Sequence, residues 1–244
     1  MGCEAASGRL CLCYSLLVGH ASLNVWAYID GFNLYNGALK GTPYKWLDLL
    51  RLAQNLRPTD SISMVKLFTA KVDARPNDPD QPLRQILYWR ALRTLPTVEI
   101  IEGHFLTKRA HLPEVSSLDT ITALQQAGAN TRGMRPAMAH IYRSEEKGTD
   151  VNLAVHLVHD AHLGQYDAAI VVSNDSDLVE AIRIVRREIG KPVFVFYPHS
   201  NNPSDELRRV ASRFKGITVT HLSNSLFPPT LTDVRGSFSK PPTW

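Results

Sequence analysis

Apolar and polar positions alternate along this chain in blocks whose period switches back and forth. Asn24–Ile29, Ile62–Thr69, Val98–Leu106, Tyr166–Val172 and Val193–Tyr197 are short runs rich in β-branched and aromatic residues, which predicts strands. Between them the apolar residues recur at helical spacing, as in Trp46–Leu56 with Leu47, Leu50, Leu52 and Leu56. Leu83–Leu95, Thr149–His162, Leu178–Ile189 and Ser204–Phe214 read the same way. In Thr149–His162 the residues expected to face inward are Val151, Ala154, Val155 and Val158. Pro58 and Gly190 stand where helices should stop, and Ser204 with Asp205 and Glu206 makes a helix start. Strand–helix alternation from Asn24 to about Thr220 predicts an α/β fold. The expected architecture is a doubly wound, mostly parallel, Rossmann-like sheet with helices on both faces.

The pattern weakens in several places. Residues 73–82 hold three prolines and read as a loop. Residues 107–139 are polar, contain Gly and Pro, and carry Lys108, Arg109, Arg132 and Arg135, so a long irregular loop is expected there. Ala139–Tyr142 is a short extended piece, and Ile217–His221 a short final strand. From Pro228 onward the composition predicts a tail laid on the surface or disordered. The expected division is a disordered leader over 1–22, one domain over 23–225 and a tail over 226–244.

Charge enters the picture through position. The strand Tyr166–Val172 suits burial on both faces of a parallel sheet. It runs straight into Ser173-Asn174-Asp175-Ser176-Asp177. The helix before it is preceded by a second polar turn, with Glu145, Glu146 and Asp150. The first strand ends in Asp30-Gly31-Phe32-Asn33. Acids thus gather at the carboxyl ends of strands, where open α/β sheets bind ligands. Close carboxylates repel unless a proton or cation intervenes, and hard oxygen donors suit Mg²⁺ or Mn²⁺. Each acid also has a plain structural explanation. Asp177 with Glu180 fits an N-cap, Asp150 suits a helix start, and Asp-Gly makes a turn. His156, His159 and His162 lack the i, i+4 spacing of helical metal ligands and read as partly exposed helix residues.

Composition changes little. The chain has 244 residues, 44% of them hydrophobic and 20% charged, with a net charge of +4, ordinary for a globular protein and compatible with a polyanionic partner. Cys3, Cys11 and Cys13 all precede the domain, so it has no disulfide framework, which fits the cytoplasm. Leu10–Val18 is apolar but too short to span a bilayer, and no other stretch reads as transmembrane. There is no G-x-G-x-x-G turn, no P-loop and no G-x-S-x-G elbow, which removes the commonest α/β chemistries.

Tyr28-Ile-Asp-Gly-Phe-Asn-Leu34, Glu146-Lys-Gly-Thr-Asp-Val-Asn-Leu-Ala154 and Val172-Ser-Asn-Asp-Ser-Asp-Leu178 resemble, in order, the signature blocks of the NYN domain, the LabA-like branch of the PIN-like nuclease superfamily. The resemblance implies a PIN-like sheet with an acidic Mg²⁺ or Mn²⁺ pocket that cuts RNA, single-stranded RNA in the first place. Asp30, Asp150, Asp175 and Asp177 then match the catalytic, metal-holding acids. Asn33, Lys147, Thr149, Ser173, Asn174, Arg132, Arg135 and Arg143 are the expected substrate contacts. Asn174 stands where the family commonly has Gly, and Leu178 where it commonly has an aromatic. A homo-oligomer and an inhibitory protein partner are compatible with this reading. So are a non-catalytic RNA- or metal-binding module and, behind it, a pyridine-ring hydroxylase. Asp175-Ser-Asp177 after a strand also resembles the metal motif of sugar-nucleotide transferases, though the first block speaks against it.

Overall fold

The computed structural model describes residues 22–74, 78–198 and 202–244, with the backbone alone across 105–110 and 140–146. In chain order come β1 (Asn24–Asp30), α1 (Gly31–Leu34, continued by a π-turn over Tyr35–Leu39), α2 (Leu49–Leu56), β2 (Ser61–Thr69), α3 (Gln81–Leu92) and β3 (Val98–Glu102). Then follow β4 (His104–Pro113), α4 (Val115–Gln126), β5 (Met138–Lys147), α5 (Thr149–His162) and β6 (Ala168–Val172). After a 3₁₀ turn at Ser176–Leu178 the chain forms α6 (Val179–Arg187), β7 (Val193–Tyr197), α7 (Asp205–Val210), β8 (Arg213–Gly216), α8 (Val219–Ser223), β9 (Thr230–Asp233) and β10 (Gly236–Ser239).

Six strands pair in parallel in the order β3-β2-β1-β6-β7-β8. The order reverses between β1 and β6, the switch point where a crevice opens at the carboxyl ends of the strands. β6 is buried at every residue, as its unbroken apolar run requires. Along β1 the side chains alternate between two layers. Val25, Ala27 and Ile29 pack with α2 and α3, while Tyr28 joins Leu153 and Leu157 of α5 and Ile182 of α6.

Each layer has a hub. In the first, Trp46 is buried among the rings of Tyr88, Phe227, Phe238 and Trp244, and its Nε1–H donates to the Pro228 carbonyl at 2.9 Å. In the second, Lys66 lies mid-strand in β2, and its ammonium donates to Asp160 Oδ2 at 2.6 Å. The Tyr28 hydroxyl donates to the same oxygen at 2.8 Å. Lys66 Nζ also lies 3.3 Å from His156 Nδ1. Burial, and then Lys66 itself, hold the His156 imidazole below its ordinary pKa, which keeps it neutral beside the ammonium.

Several expectations need correction. Val98–Leu106 is not one strand. β3 stops at Glu102, the Gly103 N–H donates to the Thr69 carbonyl, and the chain then leaves the sheet. Residues 107–139 are not an irregular loop. β4 and β5 pair antiparallel over ten residues as a ribbon, with α4 between them. No residue of α4 is buried, so it carries no core-facing pattern to read. Helix α7 ends at Val210, and Phe214 lies in β8, paired with Val195. The expected strand Ile217–His221 is mostly α8, capped by the Thr218 hydroxyl on the His221 N–H. In α5 Leu153, Leu157 and Ala161 are buried and Ala154 and Val158 pack partly buried against the same cluster, whereas Val151 and Val155 are 65% and 58% exposed. Residues after Pro228 form the β9–β10 hairpin, held to α3 by a two-pronged Arg90–Asp233 ion pair at 2.6 and 2.8 Å. The expected leader falls, up to residue 21, outside the described residues. Among the described residues no helix is long and apolar enough to cross a membrane.

The Lys66–Asp160 pair makes one prediction. Removing one partner strands a buried charge, so Asp160→Leu should lower stability by about 3–5 kcal/mol, while Asp160→Leu combined with Lys66→Met should cost far less. Urea unfolding of the two variants checks it, and equal losses would contradict it.

Candidate functional site

The crevice at the β1/β6 switch point is built around Asp30, the last residue of β1. Asp30 is only 4% exposed. Its Oδ1 accepts the Asn33 N–H at 2.9 Å, capping α1, and its Oδ2 accepts the Ser173 hydroxyl at 3.0 Å. Gly31 is required beside it, since a Cβ there would stand 2.9 Å from the Phe68 carbonyl oxygen. Ser173 is fully buried and also accepts the Asp175 N–H at 3.0 Å, so one hydroxyl ties the ends of β1 and β6 together.

The turn after β6 is held from both sides. Asn33 Oδ1 accepts the Asn174 N–H at 3.1 Å. The Asn174 side chain donates to the Asn202 carbonyl and accepts the Ser204 N–H, both at 2.8 Å, which fastens the loop before α7. Asp175 Oδ1 accepts the Asp177 N–H at 3.0 Å and caps the 3₁₀ turn. Asp150 stands half-buried in the first turn of α5, behind the buried Thr149 and Gly148 at φ 92°.

Electrostatics brings three of the four expected acids together. Burial pushes the Asp30 carboxyl up to about 7, and the charges of Asp150 and Asp175 add to the rise. The hydrogen bonds from Asn33 and Ser173 oppose it. The two charges that raise it, on Asp150 and Asp175, are both negative. Asp177 is not among them. It is exposed and lines a groove between α5 and α6 together with Val155 and His159.

The remaining expected residues divide by placement. Ser173, Asn33 and Asn174 spend their side chains on the protein's own turns. Lys147 is exposed at the foot of β5, directly before the α5 turn. Arg132 and Arg135 are exposed between α4 and β5. Arg143, like Glu145 and Glu146, belongs to β5, where the backbone alone is described. His159 and His162 are exposed and His156 half-buried, as expected of helix residues. The clamp through Asn202 is one that sequence reasoning missed. A loop carbonyl has no pattern, and only the polar Asn174 hinted at it.

The donor set of Asp30, Asp150 and Asp175 is all oxygen and anionic, which suits a hard divalent cation. Among the described residues no three His, Cys, Asp or Glu side chains stand close enough to hold an ion directly.

A parallel sheet with a buried acid at its switch point is consistent with the PIN-like nuclease class, and the family match supplies that class. The NYN domain model matches residues 24–218, and the chain belongs to the NYN family. The chain is also 34% identical over 192 residues to 6-hydroxy-3-succinoylpyridine 3-monooxygenase HspA of Pseudomonas putida. That match takes in 71% of this chain and 59% of the relative, so the chain spans little more than half the relative's length. Among solved structures, a protein of unknown function from Vibrio parahaemolyticus is similar with a TM-score of 0.50. The identity there is 15%, over 84% of this chain and 97% of that one, and the likeness shows the fold alone.

The raised Asp30 carboxyl makes a prediction with a definite sign. Its folded pKa of about 7 exceeds the ordinary 3.8, so the folded state loses stability as pH rises from about 4 to about 7. Asp30→Asn escapes that loss. In EDTA the variant should gain on the parent across this window by up to about 4 kcal/mol, and hold the gain at higher pH. Urea unfolding at pH 4, 6 and 8 measures it, and a gap independent of pH would contradict it.

Proposed function

We propose that this chain is a divalent-metal-dependent ribonuclease acting on single-stranded RNA at the β1/β6 crevice. The observation that carries the reading is the Asp30 carboxyl, pushed up to about 7 by burial and further by the neighbouring charges of Asp150 and Asp175. Such a site is short of positive charge, which a divalent metal ion would supply. Asp30, Asp150 and Asp175 would hold Mg²⁺ or Mn²⁺, partly through its waters, while Asp177 stays on the α5–α6 groove. The chemistry a bound ion supplies is a lowered pKa for the attacking water and counter-charge for the phosphoryl oxygens.

The chain's own residues do the rest. Asn33 and Ser173 fix the Asp30 carboxylate so that little reorganisation accompanies binding. With its carboxyl pushed up to about 7, Asp30 would give up any proton it holds to a bound cation. Asn33 and Asn174 lock the turn that presents Asp175. Lys147, beside the α5 start, and the exposed Arg132 and Arg135 would attract the RNA backbone, with Arg143 on the same ribbon. An RNA path along the ribbon would lead into the crevice, because β5 runs directly into Gly148, Thr149 and Asp150.

A second reading has its own support, the 34% identity to a protein named as a pyridine monooxygenase. It would use the same crevice for a heteroaromatic ring and would need a reductant. Consumption of NADH dependent on a hydroxypyridine would favour it.

The deciding experiment is cleavage of end-labelled single-stranded RNA with Mn²⁺ or Mg²⁺. Metal-dependent cutting is expected, abolished by EDTA and reduced at least about 100-fold by Asp175→Asn. Equal cutting by the parent and the variant would overturn the assignment. Metal binding without cutting would turn it toward a binding module.

A further inference from the structure

Two clefts outside the acid crevice carry exposed apolar residues and opposite charge. The first, of about 670 Å³, lies between α3 and the β9–β10 hairpin. Leu83, Ile86 and Val234 line it at 65%, 54% and 103% exposure. Arg90, Arg93 and Arg235 surround them, with Asp233 the single acid. Arg90 is spent on Asp233, whereas Arg93 and Arg235 make no ion pair among the described residues. The α3 wall of this cleft lies within the matched range 24–218, and its hairpin wall lies beyond it.

The second cleft, of about 830 Å³, is the groove between α5 and α6. Its floor holds Val155, Val158, Ile184 and Ile189, and Val151 stands exposed one turn before Val155. Asp177, Glu180 and Glu188 are its charged residues. Arg183 bridges Glu180 and Glu188 at 2.6 and 3.0 Å, so the acids outnumber the cation held among them. Each cleft thus presents an aliphatic strip that water penalises, bordered by charge that the other complements.

α3 packs on one face of the central sheet, and α5 with α6 on the opposite face. One molecule therefore cannot join its own two clefts. A second copy can, by setting the Arg93–Arg235 cleft of one protomer on the Glu180–Glu188 groove of the next. We propose that this chain self-associates head to tail through these surfaces. Such a contact is heterologous, so it closes into a ring or runs as an open chain according to the rotation it imposes. It also seats a neighbouring copy beside Asp177, at the edge of the turn that carries Asp175. The proposal is independent of the nuclease reading, because its readout is mass and not activity.

Sedimentation velocity on the parent chain tests it. At about 50 mM salt, species heavier than the monomer should grow with concentration, and they should dissolve near about 500 mM salt. Arg93→Glu with Arg235→Glu should leave a monomer, as should Glu180→Arg with Glu188→Arg. An equimolar mixture of the two double variants should associate again, because each restores the complement of the other, and that recovery also shows that both are folded. Ile86→Ser should weaken association at least about tenfold without altering its salt dependence. A parent that remains monomeric at all concentrations overturns the proposal. So do charge-reversed variants that associate as the parent does, or a mixture that stays monomeric.

Discussion

A carboxylate taken out of water must be neutralised, and in this protein that demand falls on Asp30. Its oxygens are held by the Asn33 N–H and the Ser173 hydroxyl, which orient the group without supplying charge. The neighbouring acids make the deficit larger. Much of the local architecture follows from keeping this unfavourable arrangement in place. Ser173 joins the ends of β1 and β6, Asn33 holds the next peptide, and Asn174 extends the grip to the loop before α7. A site with so many internal tethers cannot relax by swinging an acid into solvent. It can relax by keeping a proton or by taking up a cation.

The body beneath the crevice is suited to bear that strain. Both faces of the sheet are covered, and each layer is pinned at a polar or aromatic hub. The Lys66–Asp160–Tyr28 group fixes α5 against β1 and β2, and α5 carries Asp150 at its start. Trp46 gathers the hairpin and the chain's last residue onto the first layer. By contrast none of the residues of α4, between β4 and β5, is buried.

The sheet and its acids were legible in the sequence because both leave local marks. A strand buried on both faces is an unbroken apolar run, and an acid right after it can only lie at the rim, as Asp30 and Asp175 do. What was not legible depended on contacts between distant residues. α5 has aliphatic side chains on two sides, and only packing against β1 and β2 chooses Leu153 and Leu157 over Val151 and Val155. The hairpin after Pro228 has the composition of a tail, and its anchors, Phe238 and Trp244, find Trp46 across nearly the whole chain. Helix α4 had no buried face to generate a period. Asp177 was grouped with the other acids by its place after β6 and by the block it matches, and it lines the α5–α6 groove.

The measurement that most directly tests the central claim is calorimetric titration of the parent chain with Mn²⁺ in two buffers of different ionisation enthalpy. With the Asp30 carboxyl near 7, binding at pH 6 should release close to one proton, so the apparent enthalpies should differ between buffers. At pH 8.5 the difference should nearly vanish, and Asp30→Asn should abolish both the proton release and tight binding. Binding at pH 6 with the same enthalpy in both buffers, or no binding at either pH, would contradict the account.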